Sequence, residues 1–372
     1  MHALLTALLF VVVLFVLVLV HELGHFITAR LFGIEVEEFG IGFPPRALIL
    51  KKGKTLWTIN WIPLGGFVKI AGEDDPSKTG PGTFSEKPWH VRAAVIAAGV
   101  FMNLVLASAL FAVGFMVGIP QPSDGLPSGA RARDPRVQVV EVLKGSPSAA
   151  AGFAAGDVLV SIDGRPFAKV ADVQAYVNGA PDRIDVVMRR GKRTFASSLL
   201  PVSDPSSGKK LMGVGLAESV TVSFPWYLAI WHGIAATGFY VKEIFSGFAD
   251  LIKGLFVGQK PGVEFSGPVG IAVMTGQAAR LGFLYLLQFA AVLSVNLAVV
   301  NILPIPPLDG GRLLFILIER FRGRAVRPVI EAVIQRITLF LLIGLTLIVT
   351  VHDLVRYSHQ IGNALKGLFG VA

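Results

Sequence analysis

Four stretches of this chain are apolar for close to the length a helix needs to cross membrane hydrocarbon, about 20 residues. They run roughly from Leu4 to Leu31, Ala93 to Ile119, Leu281 to Leu303 and Ile337 to Val351, the last on the short side. Lipid offers the backbone no hydrogen-bond partners, so such segments are expected to be helices. Composition agrees: 53% of the 372 residues are hydrophobic, 16% are charged, and mean hydropathy is +0.65. The expectation is a polytopic α-helical membrane protein with about four transmembrane helices. The first stretch reads as a retained span, because no Lys or Arg precedes it and no small-residue cleavage pattern follows.

Lys and Arg then orient the spans. Loop 33–88 carries Arg46, Lys51, Lys52, Lys54, Lys69, Lys78 and Lys87, and the loop after the third span carries Arg312, Arg320, Arg322, Arg324 and Arg327. The positive-inside rule puts both loops in the cytoplasm, and both termini and segment 120–280 outside. The net charge of +9 brings no basic patch interleaved with aromatics, so nucleic acid is not an expected partner. Cysteine is absent. That excludes disulfides, thiolate catalysis and cysteine-ligated metal, and leaves His and carboxylate for any metal site.

The long outer segment reads as two parts. Residues 134–203 look soluble and β-rich: VQVVEVL is a strand, and RIDVVMRRGKRTFASSLL a hairpin turning at Arg190-Gly191. Residues 224–257 recur in apolar side chains at helical spacing, with Trp226, Tyr227 and Trp231 at one end. That pattern suits an amphipathic helix lying at the interface. A fifth span interrupted by Lys242, Glu243, Asp250 and Lys253 is the other reading.

The first span ends in LVLVHELGHFITAR, residues 17–30. His21 and His25 are i and i+4, so a helix presents both imidazoles to one ion, and Glu22 can reach a water beside that ion as general base. Two surface histidines on a soluble helix would mean little. Ionisable groups inside a span are costly unless paired or ligated, and are functional by default. A hydrolytic zinc ion takes three protein ligands. Asp309, in NLAVVNILPIPPLDGG (296–311), follows a Pro-rich break at the same end of the third span as HELGH in the first. It is the better third ligand; capping of a following helix is the other reading.

HELGH in the first span and N-x-L-P-x-P-x-L-D-G-G before the last resemble the site-2 protease family of intramembrane zinc metalloproteases, closest to the bacterial regulator of sigma-E protease group. Further motifs agree along nearly the whole chain: WTINWIPLGGFVKIAGEDD (57–75), AAGVFMNLVLA (97–107) with Val100 where the family often has Pro, and SGPVGIA (266–272). The resemblance implies His21, His25 and Asp309 as zinc ligands, Glu22 as catalytic acid/base, and Asn301 as a substrate-positioning or oxyanion-stabilising amide. Helix-to-helix hydrogen bonding is the other reading of Asn301, and the expected role of Asn103 and Asn296. The β-rich insert resembles a bacterial PDZ domain, with room for one copy where some relatives carry two.

A peptide bond within a helix must be made extended before it is cut. WTINWIPLGGFVKI alternates around Pro63, Gly65 and Gly66 and is expected to form a membrane-associated hairpin dipping into the protein from the cytoplasmic side; an ordinary cytoplasmic hairpin is the other reading. The edge of the dipping hairpin, with Gly65 and Gly66, would take the unwound substrate as an added strand. The expected organisation is 1–117 (two spans and hairpin loop 33–88), 134–203 (PDZ-like, outside), 219–280 (interfacial helix) and 281–372 (two spans) in a bacterial inner or plasma membrane. The implied substrates are single-span membrane proteins already trimmed by another protease, of anti-sigma factor or signal-peptide-remnant type, met within membrane lipid. The competing readings are a catalytically silent membrane-anchored PDZ scaffold and a membrane metal transporter. HELGH with an intact LDG argues against both.

Overall fold

The computed structural model describes residues 2–358 and 362, apart from 74–77, 79, 124, 125, 127, 181, 192, 204–207, 259–265 and 325. Asp74 and Asp75 of the 57–75 motif, and most of the expected C-terminal tail, lie outside the described residues. The chain falls into two compact units: Met1–Leu110, Ile234–Gly276 and Gln288–Ala372 form one, and Phe111–Gly233 with Gln277–Leu287 the other.

In chain order the helices are α1 (His2–Leu31), α2 (Trp89–Val117), α3 (Pro147–Ala150), α4 (Val170–Gly179), α5 (Trp226–Val257), α6 (Pro268–Leu281), α7 (Phe283–Ile302), α8 (Asp309–Arg322) and α9 (Pro328–Arg356). Among the described residues, α1, α2, α7 and α9 are long and apolar enough to cross a membrane. The fourth span is longer than its apolar run, because its helix begins nine residues earlier, at Pro328. The two sides of α1 show why it suits lipid. Leu4, Leu8, Val12 and Val16 form an exposed apolar stripe at four-residue spacing, while Leu17, His21, His25 and Ala29 form a buried one. Helix α5 covers the amphipathic stretch, with Lys242, Glu243, Asp250 and Lys253 all exposed. At the SGPVG segment the Gly270 N–H donates to the buried Asp353 carboxylate at 2.7 Å, tying the start of α6 to the end of α9.

Strands β1 (Val36–Lys52) and β2 (Thr55–Ile70) form a two-stranded sheet between α1 and α2 in sequence. The hairpin turn is not where the sequence pointed. WTINWIPLGGFVKI does not pair with itself: Lys52 pairs with Thr55 across a turn at Gly53. Residues Glu38–Ile41 lie between two parts of β2, alongside Leu56–Ile59 on one side and Gly66–Lys69 on the other. Gly53 has φ 66°, a left-handed conformation that suits glycine at a tight turn. Pro63, Gly65 and Gly66 instead carry β2 around the edge of β1. Buried Glu38 fixes this arrangement, accepting from Arg46 through Nε and Nη2 and from Thr58 Oγ1 at 2.8 Å. The core beneath the sheet combines Ile34, Val36 and Ile70 with Ala29 of α1, Val91 and Val95 of α2, and Ile316 of α8.

The second unit holds a six-stranded sheet: β3 (Ile119–Pro122), β4 (Arg131–Val142), β5 (Val158–Ile162), β6 (Ile184–Arg190), β7 (Arg193–Leu199) and β10 (Val214–Ser223), in spatial order β3-β10-β4-β5-β6-β7. Strands β8 (Val202–Ser203) and β9 (Lys210–Leu211) form a small separate pair. The β6–β7 hairpin closes with Arg190 opposite Arg193, where the sequence places it. The sheet is wider than segment 134–203, since β3 and β10 join from outside it. Val173 and Val177 of α4 pack with Val137, Val139, Ile162, Ile184 and Val186 in its core. Buried Asp157 is paired by Arg190 and also accepts from the Ala154 N–H, so this carboxylate is fully satisfied.

Candidate metal centre

Helix α1 turns His21 and His25 inward, where both are buried, at 6% and 9% exposure. Their rings stack edge to face with centroids 4.8 Å apart, and the two Nε2 atoms are 3.2 Å apart. The ring orientations come from α2. The Val95 carbonyl accepts from His25 Nδ1 at 2.9 Å, which leaves Nε2 with its lone pair free for a metal. Asn103 reaches His21 Nδ1 at 3.2 Å on the other ring.

This packing needs α1 and α2 to approach closely. A Cβ on Gly24 would come within 2.4 Å of the Ala98 carbonyl oxygen, and one on Gly99 within 2.3 Å of His25 Nε2. Small residues at such crossings are what let membrane helices touch. Ser294 of α7 donates to the Asn103 carbonyl at 2.8 Å and joins the third helix to the pair.

Asp309 is the first residue of α8, separated from the end of α7 at Ile302 by six residues. The break at Leu303–Leu308 folds back tightly. A Cβ on Gly310 would lie 2.2 Å from the carbonyl oxygens of Ile302 and Leu303, and one on Gly311 would lie 2.4 Å from Pro306 N. The two glycines therefore let α8 start against the end of α7, which aims Asp309 at α1. Its Oδ2 lies 3.0 Å from His21 Nε2 and 3.4 Å from His25 Nε2. Burial pushes the Asp309 carboxyl up, but the two imidazoles beside it outweigh burial and hold it well below the usual carboxylate range.

The structure brings His21, His25 and Asp309 together, with one ligand atom from each within 4.8 Å of the others. Asp309 Oδ2 is buried without a hydrogen-bond partner among the described residues, a costly state that a cation would relieve. Two imidazoles and a carboxylate are also a donor set zinc accepts. The residues therefore fit a zinc ion. Asn301, near the end of α7, points its amide at the same place, with Nδ2 3.4 Å from His21 Nε2. Gly65 and Gly66 approach from β2. A Cβ on Gly66 would lie 3.9 Å from Glu22 Cγ, and one on Gly65 3.3 Å from Val18. The backbone N–H of Val68, on the same strand, faces the Glu22 carboxylate. All seven residues singled out in the sequence therefore lie in one neighbourhood. Three contributors were not singled out there for this site: Asn103, expected only to join helices, the Val95 carbonyl, and Gly99. The glycine within AAGVFMN carried a signal for close approach, but not for what it approaches.

A family model described as peptidase family M50 matches residues 9–345. A Brucella suis protein provisionally named a zinc metalloprotease is 33% identical over 369 residues, covering 93% of this chain and 94% of that protein. An Agrobacterium fabrum protein with the same provisional name is 34% identical, again covering 93% and 94%. The regulator of sigma-W protease RasP of Bacillus subtilis is 30% identical over 436 residues, covering 94% of this chain and 98% of RasP. Among solved structures, the PDZ domain of the SdrC-like protein of Listeria monocytogenes is 22% identical, covers 22% of this chain and 85% of that domain, and has a TM-score of 0.21.

Proposed function

Starting from the premise that the chain belongs to peptidase family M50 and is a multi-pass membrane zinc metalloprotease, we propose that His21, His25 and Asp309 hold the zinc ion and that Glu22 is the catalytic acid/base. One observation carries this reading: three ligand atoms from two distant parts of the chain converge within 4.8 Å, beside Glu22.

The zinc ion, when bound, supplies Lewis-acid chemistry, polarising a carbonyl and acidifying water. The rest is the work of the chain. Glu22 takes a proton from the attacking water and passes it to the leaving amine. Asn301 offers an amide N–H toward the developing oxyanion, where a donor gives more in the transition state than in the ground state. The Gly65-Gly66 edge of β2 lies next to Glu22 and carries no side chain to block an extended peptide. A substrate strand added there would present its carbonyls to the site in sequence.

Depth supports a substrate within the membrane. The candidate span Leu4–Leu31 has 28 residues, which at about 1.5 Å each exceeds about 30 Å of hydrocarbon by about 6 Å at either end. His25 then lies about 3 Å inside the hydrocarbon edge and His21 about 9 Å. That is deep enough to meet a spanning helix and shallow enough for water. The positive-inside distribution makes this the cytoplasmic side and puts the six-stranded domain, read as PDZ-like, outside. The substrates are single-span membrane proteins left by a first cut, of the anti-sigma factor or signal-peptide-remnant type; a relative's name, regulator of sigma-W protease, is consistent with the former. The PDZ-like domain acts as a size filter and α5 lies at the outer interface.

The test is purified protein in bilayer nanodiscs with a model transmembrane substrate, with and without a zinc chelator. Cleavage inside the span that stops with chelator and returns with zinc is expected. Cleavage confined to residues outside the membrane would overturn the intramembrane reading.

A further inference from the structure

We propose that the cleft at the C-terminal end of α1 binds the headgroup of an anionic phospholipid, with one acyl chain lying along α1. The cleft, of about 840 Å³, opens between the last turns of α1 and the turn that joins β1 to β2. Phe26, Ile27, Arg30 and Leu31 line it from the helix, and Lys52 and Trp57 from the sheet.

Its charge is positive and mostly uncommitted. Lys54, also at the rim, is paired with Glu35. Arg30 and Lys52 make no ion pair among the described residues, although both line the cleft. The Arg30 guanidinium is held in place, with Cζ 5.8 Å from the centre of the Phe26 ring and Nη1 3.5 Å from Thr55 Oγ1. Two cations from separate elements thus flank one opening, which suits a phosphate.

Depth decides what carries that phosphate. The overshoot of α1 beyond the hydrocarbon puts its last four residues or so, Arg30 among them, at headgroup level. Ile27, just inside that level, is 44% exposed, and Leu31, beside Arg30 at the helix end, is 77% exposed. A soluble phosphate would satisfy the cations and leave these apolar side chains bare. A phospholipid covers both, which favours the lipid over a free anion. The cleft is not part of the metal centre, so this site stands or falls independently of the catalytic assignment.

The experiment is native mass spectrometry of the full chain released from nanodiscs of equal phosphatidylglycerol and phosphatidylcholine. Wild type is expected to retain phosphatidylglycerol selectively. A basic side chain at an anionic surface is worth about a factor of five, so K52Q should lower the enrichment about 5-fold and R30Q/K52Q about 30-fold. The charge-keeping pair R30K/K52R should retain it. Lys52 is exposed at a turn, so K52Q decides the matter even if the double variant folds poorly. Equal retention of the two lipids by wild type, or unchanged enrichment in K52Q, overturns the proposal. Displacement of phosphatidylglycerol by an equal concentration of glycerol 3-phosphate would also overturn it, in favour of a soluble phosphate ligand.

Discussion

The side-chain amide of Asn103 on α2 lies 3.2 Å from Nδ1 of His21 on α1, and both residues are buried. An imidazole that ligates through Nε2 carries its proton on Nδ1, so it needs an acceptor there. Asn103 Oδ1 is buried and otherwise without a partner among the described residues. A half-turn of the amide lets that oxygen accept the Nδ1 proton and satisfies both groups. Asn103 therefore sets the tautomer of His21, a proposed zinc ligand. Asn103→Leu, close in volume but with no acceptor, should weaken zinc binding about 10- to 100-fold. Chelator competition on purified protein measures this; unchanged zinc retention would remove Asn103 from the site.

How far the sequence showed this site depends on how local each signal is. His21 and His25 are four residues apart on one helix, and the cost of ionisable groups in an apolar run makes them conspicuous. Asp309 follows a proline break, which marks a helix end whatever packs against it. Asn103 and Gly99 gave no such signal, because their role depends on which face of α2 meets α1 some 80 positions away. The hairpin was misplaced for a related reason. Pro63, Gly65 and Gly66 look like a turn in isolation, but β1 lies between the two parts of β2. The basic run Lys51, Lys52, Gly53, Lys54, read only as charge, holds the real turn.

Gly99 leaves no room for a side chain. A Cβ there would sit 2.3 Å from His25 Nε2 and 2.7 Å from His21 Cε1, inside van der Waals contact. Gly99→Ala must push α1 and α2 apart or rotate both imidazoles. Zinc content after purification should fall to background while the helical circular dichroism signal persists. Gly344→Ala is the matched control, since nothing lies within 4 Å of its Cβ position. Full zinc occupancy in the Gly99 variant would mean that the helices do not cross this closely.

Glu22 neighbours the proposed zinc ligands and is proposed as the base, not as one of them. Replacing its carboxylate with an amide keeps the shape and removes the base. Glu22→Gln should keep stoichiometric zinc and lose cleavage by at least about 100-fold, the lower range for general acid–base catalysis. Metal analysis and a peptide-bond assay on the same preparation separate the two effects. Loss of zinc along with activity would instead make Glu22 part of the ligand set.

The size-filter role needs a deletion that respects the sheet. Removing 134–203 would take most of β4 and strip β10 of its main partner, leaving Val214–Ser223 unpaired along one edge. Removing Ile119–Ser223 takes the entire six-stranded sheet and joins α2 to α5 through a flexible linker. That variant should cut untrimmed substrates at a rate near that of trimmed ones. If intact substrates stay uncut while trimmed ones are processed, exclusion by this domain is not what selects the substrate.

Arg92 and Glu319 connect α2 and α8, the two helices that pack residues around His21 and His25. Arg92, in the first turn of α2, donates to both carboxylate oxygens of Glu319 on α8, at 3.1 and 2.9 Å. Helix α2 orients both histidines, and α8 begins with Asp309, the proposed third ligand. The pair is partly buried, at 16% and 31% exposure, and a paired, forked bond of this kind loses about 1–2 kcal/mol when one partner goes. Arg312, three residues after Asp309, also pairs with Glu73, so α8 keeps a second anchor. Arg92→Gln should therefore lower zinc affinity only about 3- to 10-fold, less than Asn103→Leu, because it loosens the helix that carries Asp309 without touching a ligand. The reversed pair Arg92→Glu/Glu319→Arg should recover most of that loss. Recovery by the reversed pair would show the bridge at work; equal loss in single and reversed variants would show that packing alone, through Ile316 and its neighbours, holds α8 in place.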